Sequence, residues 1–584
     1  MSLKKKIWKV YTADRIKEEE LAKKLNISKY IAHLLLCRGI DSIETAEKFL
    51  NPSMNDMHDP FLFDGMDKAV ERINQAIEKE EHILIYGDYD VDGITGVSLL
   101  YSFFKNYGAK IDYYIPKRLD EGYGLNIEAI EKASKNDIKL IITVDCGIGA
   151  VAEVARASEL GIDVIITDHH EQAEEVPQCI SVIDPKLKTT KYPFSSLAGV
   201  GVGFKLCQAF WKYKGNYSEK VDPNQYLDMV ALGTIADVVP LLDENRVIVK
   251  YGLEKINQRL RSGINALIEV CGLKDRQITT GNISFVIAPK INAAGRLGDP
   301  SVGVELLLSF DLTVAMDLAL KLSEENTRRQ QIESVILKEA VIPLKEMNPA
   351  EVKSIVLDSY NWHTGVIGIA ASKITELTYR PTVLIALENG VGKGSARSIP
   401  GFNLHAALMQ CSDLLLSFGG HEQAAGLSIK EENIPEFRER LNYITGQMLD
   451  EEDFKAKLKI DRQLKMDDIT DELLEELSLL EPYGLANPTP VFATRGLTVV
   501  SHRYVGVESN HLKLKLESKG RLMDAIGFRM GAKNSGVVNT LFDTGKLDVA
   551  YSLEFNTWGR NRTIEMNLKD IRACNGDVEE DMLL

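Results

Sequence analysis

Acids and imidazoles stand directly after three apolar segments in the first third of the chain. Segments of this length and composition are typical of buried parallel strands, whose carboxyl ends form the ligand-binding edge of an α/β sheet. Acids and imidazoles buried together need a compensating charge, so the pattern predicts a divalent-metal site at that edge. The three places are Asp168-His169-His170 after residues 162–167, Asp88 after residues 82–87, and Asp145 after residues 139–144.

Two other interpretations of these acids stay open from the residues alone. Any acid after a strand can serve as the N-cap of a following helix. The Asp-x-Asp-x-Asp-Gly spacing of residues 88–93 also resembles the start of a calcium loop, including its glycine at the sixth position. That loop needs Glu at the twelfth position, where this chain has Leu99, and the apolar segment 95–107 predicts a helix instead. The combined constellation therefore favours a transition-metal or magnesium site.

The composition is that of a globular protein with several domains. A chain of 584 residues predicts about three or four domains, and 45% hydrophobic with 26% charged residues is ordinary. The basic N-terminus has no apolar region behind it, and no stretch is long enough to span a bilayer, so neither a signal peptide nor membrane association is expected. Seven scattered cysteines without a Cys-x-x-Cys pair predict a reduced, cytoplasmic protein without a thiolate zinc site.

The net charge of −16 argues against a general nucleic-acid coat protein, which would be basic. It does not exclude an enzyme that acts on nucleic acid, because a cluster of acids can be masked by metal. Contacts with phosphate would then come from a local basic patch.

The periodicity predicts a multidomain α/β protein with five parts. Alternating apolar strands and helices predict a doubly wound parallel sheet, and uninterrupted Leu, Ala, Glu, Lys and Arg predict one long helix. Short strands with turn signals near the C-terminus predict a small OB-like β-barrel. The expected parts are a helical lead-in (1–60), a parallel-sheet domain with a helical extension (61–310), a connector helix (311–348), a smaller α/β domain (349–450) and the barrel (455–575).

The motifs resemble those of the DHH phosphoesterase superfamily, and the match covers nearly the whole chain. Its four catalytic motifs look like residues 86–93, 144–147, 167–170 and 233–237, in that order. Residues 392–398 and 418–421 look like motifs of the associated substrate domain. The order, with a terminal barrel, is similar to the long bacterial exonucleases of the superfamily. The resemblance implies a DHH domain, a DHH-associated domain and an OB-fold nucleic-acid-binding domain.

That resemblance implies a 5′→3′ exonuclease that hydrolyses single-stranded DNA to 5′-mononucleotides in DNA repair and recombination. One alternative is a phosphodiesterase for short oligonucleotides or cyclic dinucleotides, although such members are shorter and lack the barrel. The other is a non-catalytic DNA-binding relative, although this chain keeps every acid and both histidines of the motifs. Single-stranded DNA is the expected partner, and a helicase and a single-strand-binding protein are implied only by the family.

The chemistry implied is hydrolysis assisted by two divalent ions, Mn²⁺ or Mg²⁺, which suit oxygen ligands with an imidazole. In the pyrophosphatase branch a His stands where this chain has Tyr86, a poor ligand near neutral pH, so the ligand set of one ion stays open. A helix-end cap remains the other interpretation of Asp237. The expected ligands are Asp88, Asp90, Asp92, Asp145 as the bridge, His169 and Asp237, with His170 at the scissile phosphate and Asp168 orienting a histidine.

Cationic side chains are expected to hold the DNA backbone. Arg296 stands in a glycine-punctuated segment that predicts a loop, where its guanidinium could grip phosphate and assist catalysis; a solvated surface Arg is the alternative. Lys393, Ser395 and Arg397 are expected in a glycine-rich strand-loop whose backbone N–H groups approach phosphate. By the resemblance, Arg118, Ser395 and Arg397 look like a 5′-phosphate pocket. His363 and His421 are expected at helix starts, as anion contacts or as structural residues.

Overall fold

The computed structural model describes residues 6–118, 121–122, 124–172, 174–215, 221–348, 351–531, 545–556 and 562–574. The chain divides into two units, each with its own internal contacts. Unit 1 comprises residues 1–50, 335–481 and 488–584, and unit 2 comprises residues 51–334 and 482–487.

The N-terminal segment of unit 1 contains a strand that the sequence does not predict. This strand pairs in parallel with Lys457–Ile460, and the Trp8 indole, only 2% exposed, donates to Asp570 at 2.7 Å. Four residues are too few for an alternating pattern to be recognised, which is why only helices are expected here. The elements are β1 (Ile7–Val10), α1 (Arg15–Leu25), α2 (Lys29–Cys37) and α3 (Ile43–Leu50).

Unit 2 contains the predicted doubly wound parallel sheet. Its five strands are all parallel in the order β3-β2-β4-β5-β6. Alternate residues of the strands enter two different apolar clusters, Ile83 and Ile85 on one face and Leu84 and Tyr86 on the other. The elements are α4 (Met66–Glu78), β2 (His82–Gly87), α5 (Val91–Asn106), β3 (Lys110–Tyr114), α6 (Ile127–Lys135), β4 (Ile138–Val144), α7 (Val151–Glu159), β5 (Asp163–Thr167), β6 (Ser181–Ile183) and α8 (Gly199–Tyr213).

The rest of unit 2 is helical, and the predicted connector helix follows it. The helix runs for 35 residues and continues three residues beyond Pro343, close to the expected span. A five-residue π-helix, Ile283–Ile287, lies between α12 and α13. The helices are α9 (Leu227–Ala236), α10 (Asp243–Asn257), α11 (Ser262–Val270), α12 (Thr280–Asn282), α13 (Ala288–Leu297), α14 (Ser301–Leu308) and the connector α15 (Leu312–Glu346).

Unit 1 contains the smaller α/β sheet, in the order β10-β11-β9-β8-β7. Strands β7 and β8 are parallel and the other pairs are antiparallel. The sequence predicts β7, β8 and β9 but not the hairpin β10–β11, because the glycines at its turn obscure the strand pattern. The elements are β7 (Ile355–Ser359), α16 (Thr364–Thr378), β8 (Thr382–Glu388), β9 (Val391–Arg397), α17 (Leu404–Met409), β10 (Leu415–Gly420), β11 (Ala424–Lys430) and α18 (Ile434–Met448).

The C-terminal part of unit 1 is the expected barrel. Five strands pair in the order β14-β15-β16-β18-β17, and β14 also pairs with β17, which closes the ring. No helix of the described residues is long and apolar enough to cross a membrane. The elements are β12 (Lys457–Ile460), β13 (Arg462–Gln463), α19 (Asp471–Leu477), β14 (Phe492–Val505), β15 (His511–Ser518), β16 (Arg521–Gly527), β17 (Lys546–Asn556) and β18 (Thr563–Ala573).

Candidate metal centre

The parallel sheet of unit 2 brings the strand-end acids to one edge. Asp88 follows β2, Asp145 follows β4 and Asp168 follows β5, and these three strands are neighbours in the sheet. Parallel strands end at the same edge, so side chains distant in sequence converge there. The fold therefore places the acids as the strand-end rule predicts.

Acids and histidines from these strand ends, together with Asp237 from the end of α9, form three overlapping groups. In each group the candidate ligand atoms lie within 4.8 Å of one another. His169 Nε2 lies 3.1 Å from Asp145 Oδ1, 3.7 Å from Asp237 Oδ2 and 3.8 Å from Asp92 Oδ2. The groups are Asp88 with Asp90 and Asp145, Asp145 with His169 and His170, and Asp92 with His169 and Asp237. Asp145 and His169 each belong to two groups, so the three share ligands and form one centre.

The start of α8 hydrogen-bonds one of these carboxylates and packs closely against a second acid. Both oxygens of Asp92 accept backbone N–H groups, from Gly199 at 2.6 Å and Val200 at 2.9 Å. Asp92 is thus also a cap of α8, and each oxygen keeps a further lone pair for a ligand bond. A Cβ on Gly199 would lie 2.6 Å from the Asp145 Cβ, so only glycine allows α8 to approach Asp145 this closely.

Asp168 orients the two histidines rather than belonging to any of the three groups. Its Oδ1 accepts the backbone N–H groups of His169 and His170 and lies 2.7 Å from His170 Nδ1. Its Oδ2 accepts the N–H of Ile148. A carboxylate so engaged can fix the tautomer and orientation of a histidine, and that role stays a prediction for Asp168.

Asp237 is poorly suited to be only a helix cap. It follows the last residue of α9, at the end where the helix dipole is negative and a carboxylate is disfavoured. Burial and the charges of Asp92 and Asp90 raise the pKa of Asp237 to about 9. A cation beside Asp237 would oppose both effects and favour its charged form.

The protonation of the centre supports the same conclusion. Burial and the charge of Asp90 raise the pKa of Asp92 to about 7, and burial raises the pKa values of Asp88 and Asp145 well above the ordinary range. Among the described residues, the buried Oδ1 of Asp88 has no hydrogen-bond partner. Crowded carboxylates with an unsatisfied buried oxygen fit a site for divalent cations, which would restore the charged forms.

The two histidines differ in protonation. Burial and the neighbouring His170 lower the pKa of His169 to about 4, which keeps its imidazole neutral and able to ligate a metal. Burial acts to lower the pKa of His170, but the hydrogen bond and charge of Asp168 raise it above its ordinary value. His169 is thus suited to bind an ion and His170 to carry a proton.

Tyr86 has a structural role in this fold. Its hydroxyl donates to the Gly124 carbonyl at 2.9 Å and lies 3.1 Å from the Asn126 side-chain nitrogen. Burial raises the pKa of the Tyr86 hydroxyl, which disfavours the phenolate needed for a metal bond. Tyr86 is therefore unsuited to bind a metal, which leaves the acids and histidines of the three groups as the candidate ligands.

Two arginines lie near Tyr89, in the loop between β2 and α5, and the predicted local structure of one of them is wrong. Arg296 lies in helix α13 and not in a loop. The neighbouring Gly295 does not form a turn. It allows α13 to approach the Tyr89 backbone, because a Cβ on Gly295 would lie 2.4 Å from the Tyr89 carbonyl oxygen. The guanidinium carbon of Arg118 lies 5.2 Å from the centre of the Tyr89 ring. The charges of Arg118 and Arg296 both act to lower the pKa of the Tyr89 hydroxyl, against the burial that raises it.

The cationic side chains of the smaller sheet lie on a regular strand. Lys393, Ser395 and Arg397 alternate along β9, so they share one face, and Arg397 Nη1 donates to Ser395 Oγ at 3.2 Å. The expected strand-loop with backbone N–H groups open to phosphate is wrong, because β9 pairs with β8 on one side and β11 on the other. Any contact with phosphate must come from the side chains.

The two histidines of this domain have different local structures. His363 is the N-cap of α16, where its Nδ1 accepts the N–H of Gly365 at 3.1 Å, as the expected helix start requires. His421 is not at a helix start but in the turn of the β10–β11 hairpin, where its N–H donates to Ala424. The glycines before it allow the tight turn, since Gly420 has a positive φ of 134°.

The chain matches three families of known domains. Residues 82–234 match the DHH family N-terminal domain, residues 351–447 the DHHA1 domain and residues 460–570 the RecJ OB domain. The single-stranded-DNA-specific exonuclease RecJ of Bacillus subtilis (strain 168) is 39% identical over 565 residues, 96% of this chain and 70% of the relative. The chain belongs to the RecJ family. The RecJ of Haemophilus influenzae is 36% identical, covering 89% of this chain and 92% of the relative.

Solved RecJ structures share the fold and contain divalent metal. RecJ from Thermus thermophilus in complex with Mn²⁺ has a TM-score of 0.82 at 31% identity, covering 97% of this chain and 79% of that chain. The Mg²⁺ complex has a TM-score of 0.76 at 28% identity, covering 97% and 78%. An exonuclease RecJ bound to manganese has a TM-score of 0.58 at 36% identity, covering 66% and 96%.

In this RecJ-family chain, one acid at the same sheet edge as the metal centre is not predicted from the sequence. Asp184 follows β6, the neighbour of β5, is 1% exposed, and among the described residues its Oδ2 has no hydrogen-bond partner. Burial raises its pKa to about 7. The strand-end rule that finds Asp88, Asp145 and Asp168 applies here too, but a three-residue strand gives little signal.

Proposed function

We propose that this chain is a divalent-metal-dependent exonuclease that hydrolyses single-stranded DNA from its 5′ end to 5′-mononucleotides. The observation that carries the proposal is the set of three acid-and-histidine groups that share Asp145 and His169. Relatives named single-stranded-DNA-specific exonuclease over most of this chain, and RecJ structures containing Mn²⁺ or Mg²⁺, support it.

The roles of the residues follow from the three groups. Asp88 and Asp90 would hold one ion, Asp92, Asp237 and His169 would hold the other, and Asp145 would be a ligand common to both. When bound, the two ions supply an activated water and neutralise charge on the phosphate. Every other part of the reaction must come from protein side chains.

His170 is the proton carrier in this proposal. Asp168 holds its Nδ1 and favours the protonated ring, so Nε2 carries the proton that the departing 3′ oxygen requires. In unit 2, Arg118 and Arg296 supply positive charge for the substrate phosphates beside the loop between β2 and α5.

The smaller domain of unit 1 supplies further contacts. We assign the terminal 5′-phosphate to Ser395 and Arg397, which are already joined by a hydrogen bond. Lys393 on the same strand face and the N-cap His363 extend this anion-binding surface. His421, in an exposed hairpin turn, contributes only if the DNA passes over that turn.

We also propose that five successive parts of the chain have different roles. The proposed parts are residues 1–60, the catalytic domain 61–310, the connector 311–348, the 5′-end domain 349–450 and the nucleic-acid-binding barrel 455–575. The protein acts in the cytoplasm in DNA repair and recombination, and a helicase and a single-strand-binding protein supply and present its single-stranded substrate.

One assay tests the reaction and its direction together. Single-stranded DNA labelled separately at each end is incubated with Mn²⁺ or Mg²⁺, beside matched duplex, a dinucleotide and pyrophosphate. Mononucleotides released first from the 5′ end of the single strand are expected. Cleavage of only the dinucleotide or pyrophosphate would assign the protein to the small-substrate members, and binding of DNA without cleavage would make it a non-catalytic relative.

A further inference from the structure

Helix α16 approaches the polar face of β9 at a glycine. Gly368, in the second turn of α16, is buried, and a Cβ added to it would lie 2.9 Å from Ser395 Oγ and 3.1 Å from Arg397 Nη2. Both distances are shorter than ordinary van der Waals contact. The backbone of α16 at Gly368 thus lies directly beside Ser395 Oγ and Arg397 Nη2, and an added Cβ would crowd both atoms.

The atoms that the Cβ would meet are movable ends of side chains and not backbone. A serine hydroxyl turns about one bond, and a guanidinium shifts with its flexible stem, so a methyl group would displace them without moving the helix or the sheet. An alanine also favours the helix over glycine. The glycine is therefore unfavourable for the helix itself, which points to a requirement for space at this position.

We propose that Gly368 is the residue that keeps the Ser395–Arg397 pair in position for the 5′-terminal phosphate and so sets the preference for a phosphorylated end. This inference rests on the proposed function, in which Ser395 and Arg397 hold that phosphate. Phosphate is bound best by a guanidinium in bidentate geometry, and a displacement of a few tenths of an ångström at Nη2 weakens that geometry. Gly368 is a positioning residue and does not itself contact the substrate.

The test compares Gly368→Ala with the unmodified full-length protein on two single strands of one sequence, one with a 5′-phosphate and one with a 5′-hydroxyl. The ratio of kcat/KM for the two ends is expected to fall about tenfold, the order expected when one charge-assisted hydrogen bond is misaligned. The rate on the 5′-hydroxyl strand and the thermal midpoint are expected not to fall. Binding of both strands in EDTA, followed by fluorescence anisotropy, is expected to show the same loss without any hydrolysis.

Gly446→Ala is the matched control, because Gly446 also lies in a helix of unit 1 and its added Cβ would make only an ordinary contact, 3.4 Å from Lys353 Cγ. A second measurement is the combination of Gly368→Ala with Arg397→Ala. If Gly368 acts through the pair, the two substitutions together lower the ratio no more than Arg397→Ala alone; additive losses would mean a general structural role and would overturn the inference.

The outcomes separate this inference from the function on which it rests. Without hydrolysis of single-stranded DNA by the unmodified protein, the proposed function fails. If Arg397→Ala lowers the end preference and Gly368→Ala leaves it unchanged, the pair binds the phosphate and only the role of Gly368 is wrong. Equal rates on both ends for the unmodified protein would overturn the 5′-phosphate assignment and the inference together.

Discussion

Replacing Asp237 with Asn is expected to stabilise the metal-free protein while it removes metal-dependent hydrolysis. The Asp237 side chain is 22% exposed, and its carboxylate lies near that of Asp92 and the imidazole of His169. Burial and the charges of Asp92 and Asp90 raise its pKa from 3.8 to about 9. Asn has nearly the same shape and no charge, so it removes this repulsion without leaving a cavity.

The size and sign of the effect follow from the two pKa values. The folded state binds the proton of Asp237 more tightly than the unfolded state, so the free energy of unfolding of the unmodified protein falls as pH rises from 3.8 towards 9. Below this window both states are protonated and the substitution changes little. Each pH unit within it is worth about 1.4 kcal/mol, so the advantage of Asn is about 4 kcal/mol near pH 7.

Urea unfolding in EDTA at about pH 5 and about pH 7 measures this difference. Asp237→Asn is expected to unfold at higher urea than the unmodified protein, with the larger gap at the higher pH. Saturating Mn²⁺ should reverse the order, because only the unmodified protein has the full ligand set. Asp275→Asn, an exposed acid of the same unit, is the control and should change neither quantity. A variant no more stable than the unmodified protein in EDTA, and equally stabilised by Mn²⁺, would refute the reasoning.

Three further substitutions test other parts of the centre and its surroundings. Asp145→Ala is expected to abolish hydrolysis with an unchanged circular dichroism spectrum, because Asp145 belongs to two of the three groups; full activity would remove it as the bridge. Arg397→Ala is expected to lower the preference for a 5′-phosphate by about tenfold to a hundredfold in competition assays. The control is Arg440→Ala, a half-buried arginine of the same unit paired with Asp413 and Glu436, which should not change that preference. Gly295→Ala is expected to lower the thermal midpoint and kcat, at about 1–3 kcal/mol of stability, because its Cβ would meet the Tyr89 carbonyl oxygen; Gly281→Ala, with its nearest atom at 3.7 Å, is the control.

The sequence predicts the convergence of these acids well because a single rule determines it. Strand-end acids of a parallel sheet must converge, so Asp88, Asp145 and Asp168 are located before any coordinates are known. The rule fails only where the strand itself is too short to recognise, as at Asp184. The domain order and the barrel are predicted for the same reason, since alternation and turn signals are local properties.

The errors concern features that depend on distant parts of the chain. Glycine at position 295 indicates a turn by local preference, but here it allows α13 to approach the Tyr89 backbone. The glycines before His421 belong to a hairpin whose second strand pairs with β9, and no pattern near His421 reveals that pairing. Gly368 is a residue of the same kind, because the need for glycine there is evident only once Ser395 is placed beside it in the fold.

The centre is also where the chain departs most from local preferences. Asp145 adopts a left-handed backbone with φ of 61°, and Asp237 lies at the unfavourable end of α9. Within the described part of the chain, a buried oxygen of Asp88 has no hydrogen-bond partner. Each feature is unfavourable by itself, and the carboxylates add mutual repulsion at separations below 4.8 Å. The stability that comes from apolar packing elsewhere can offset the cost of such a site, but it does not explain why the site is there. A divalent cation would remove the repulsion, satisfy the Asp88 oxygen and oppose the α9 dipole at once, so a single ligand class explains these three departures.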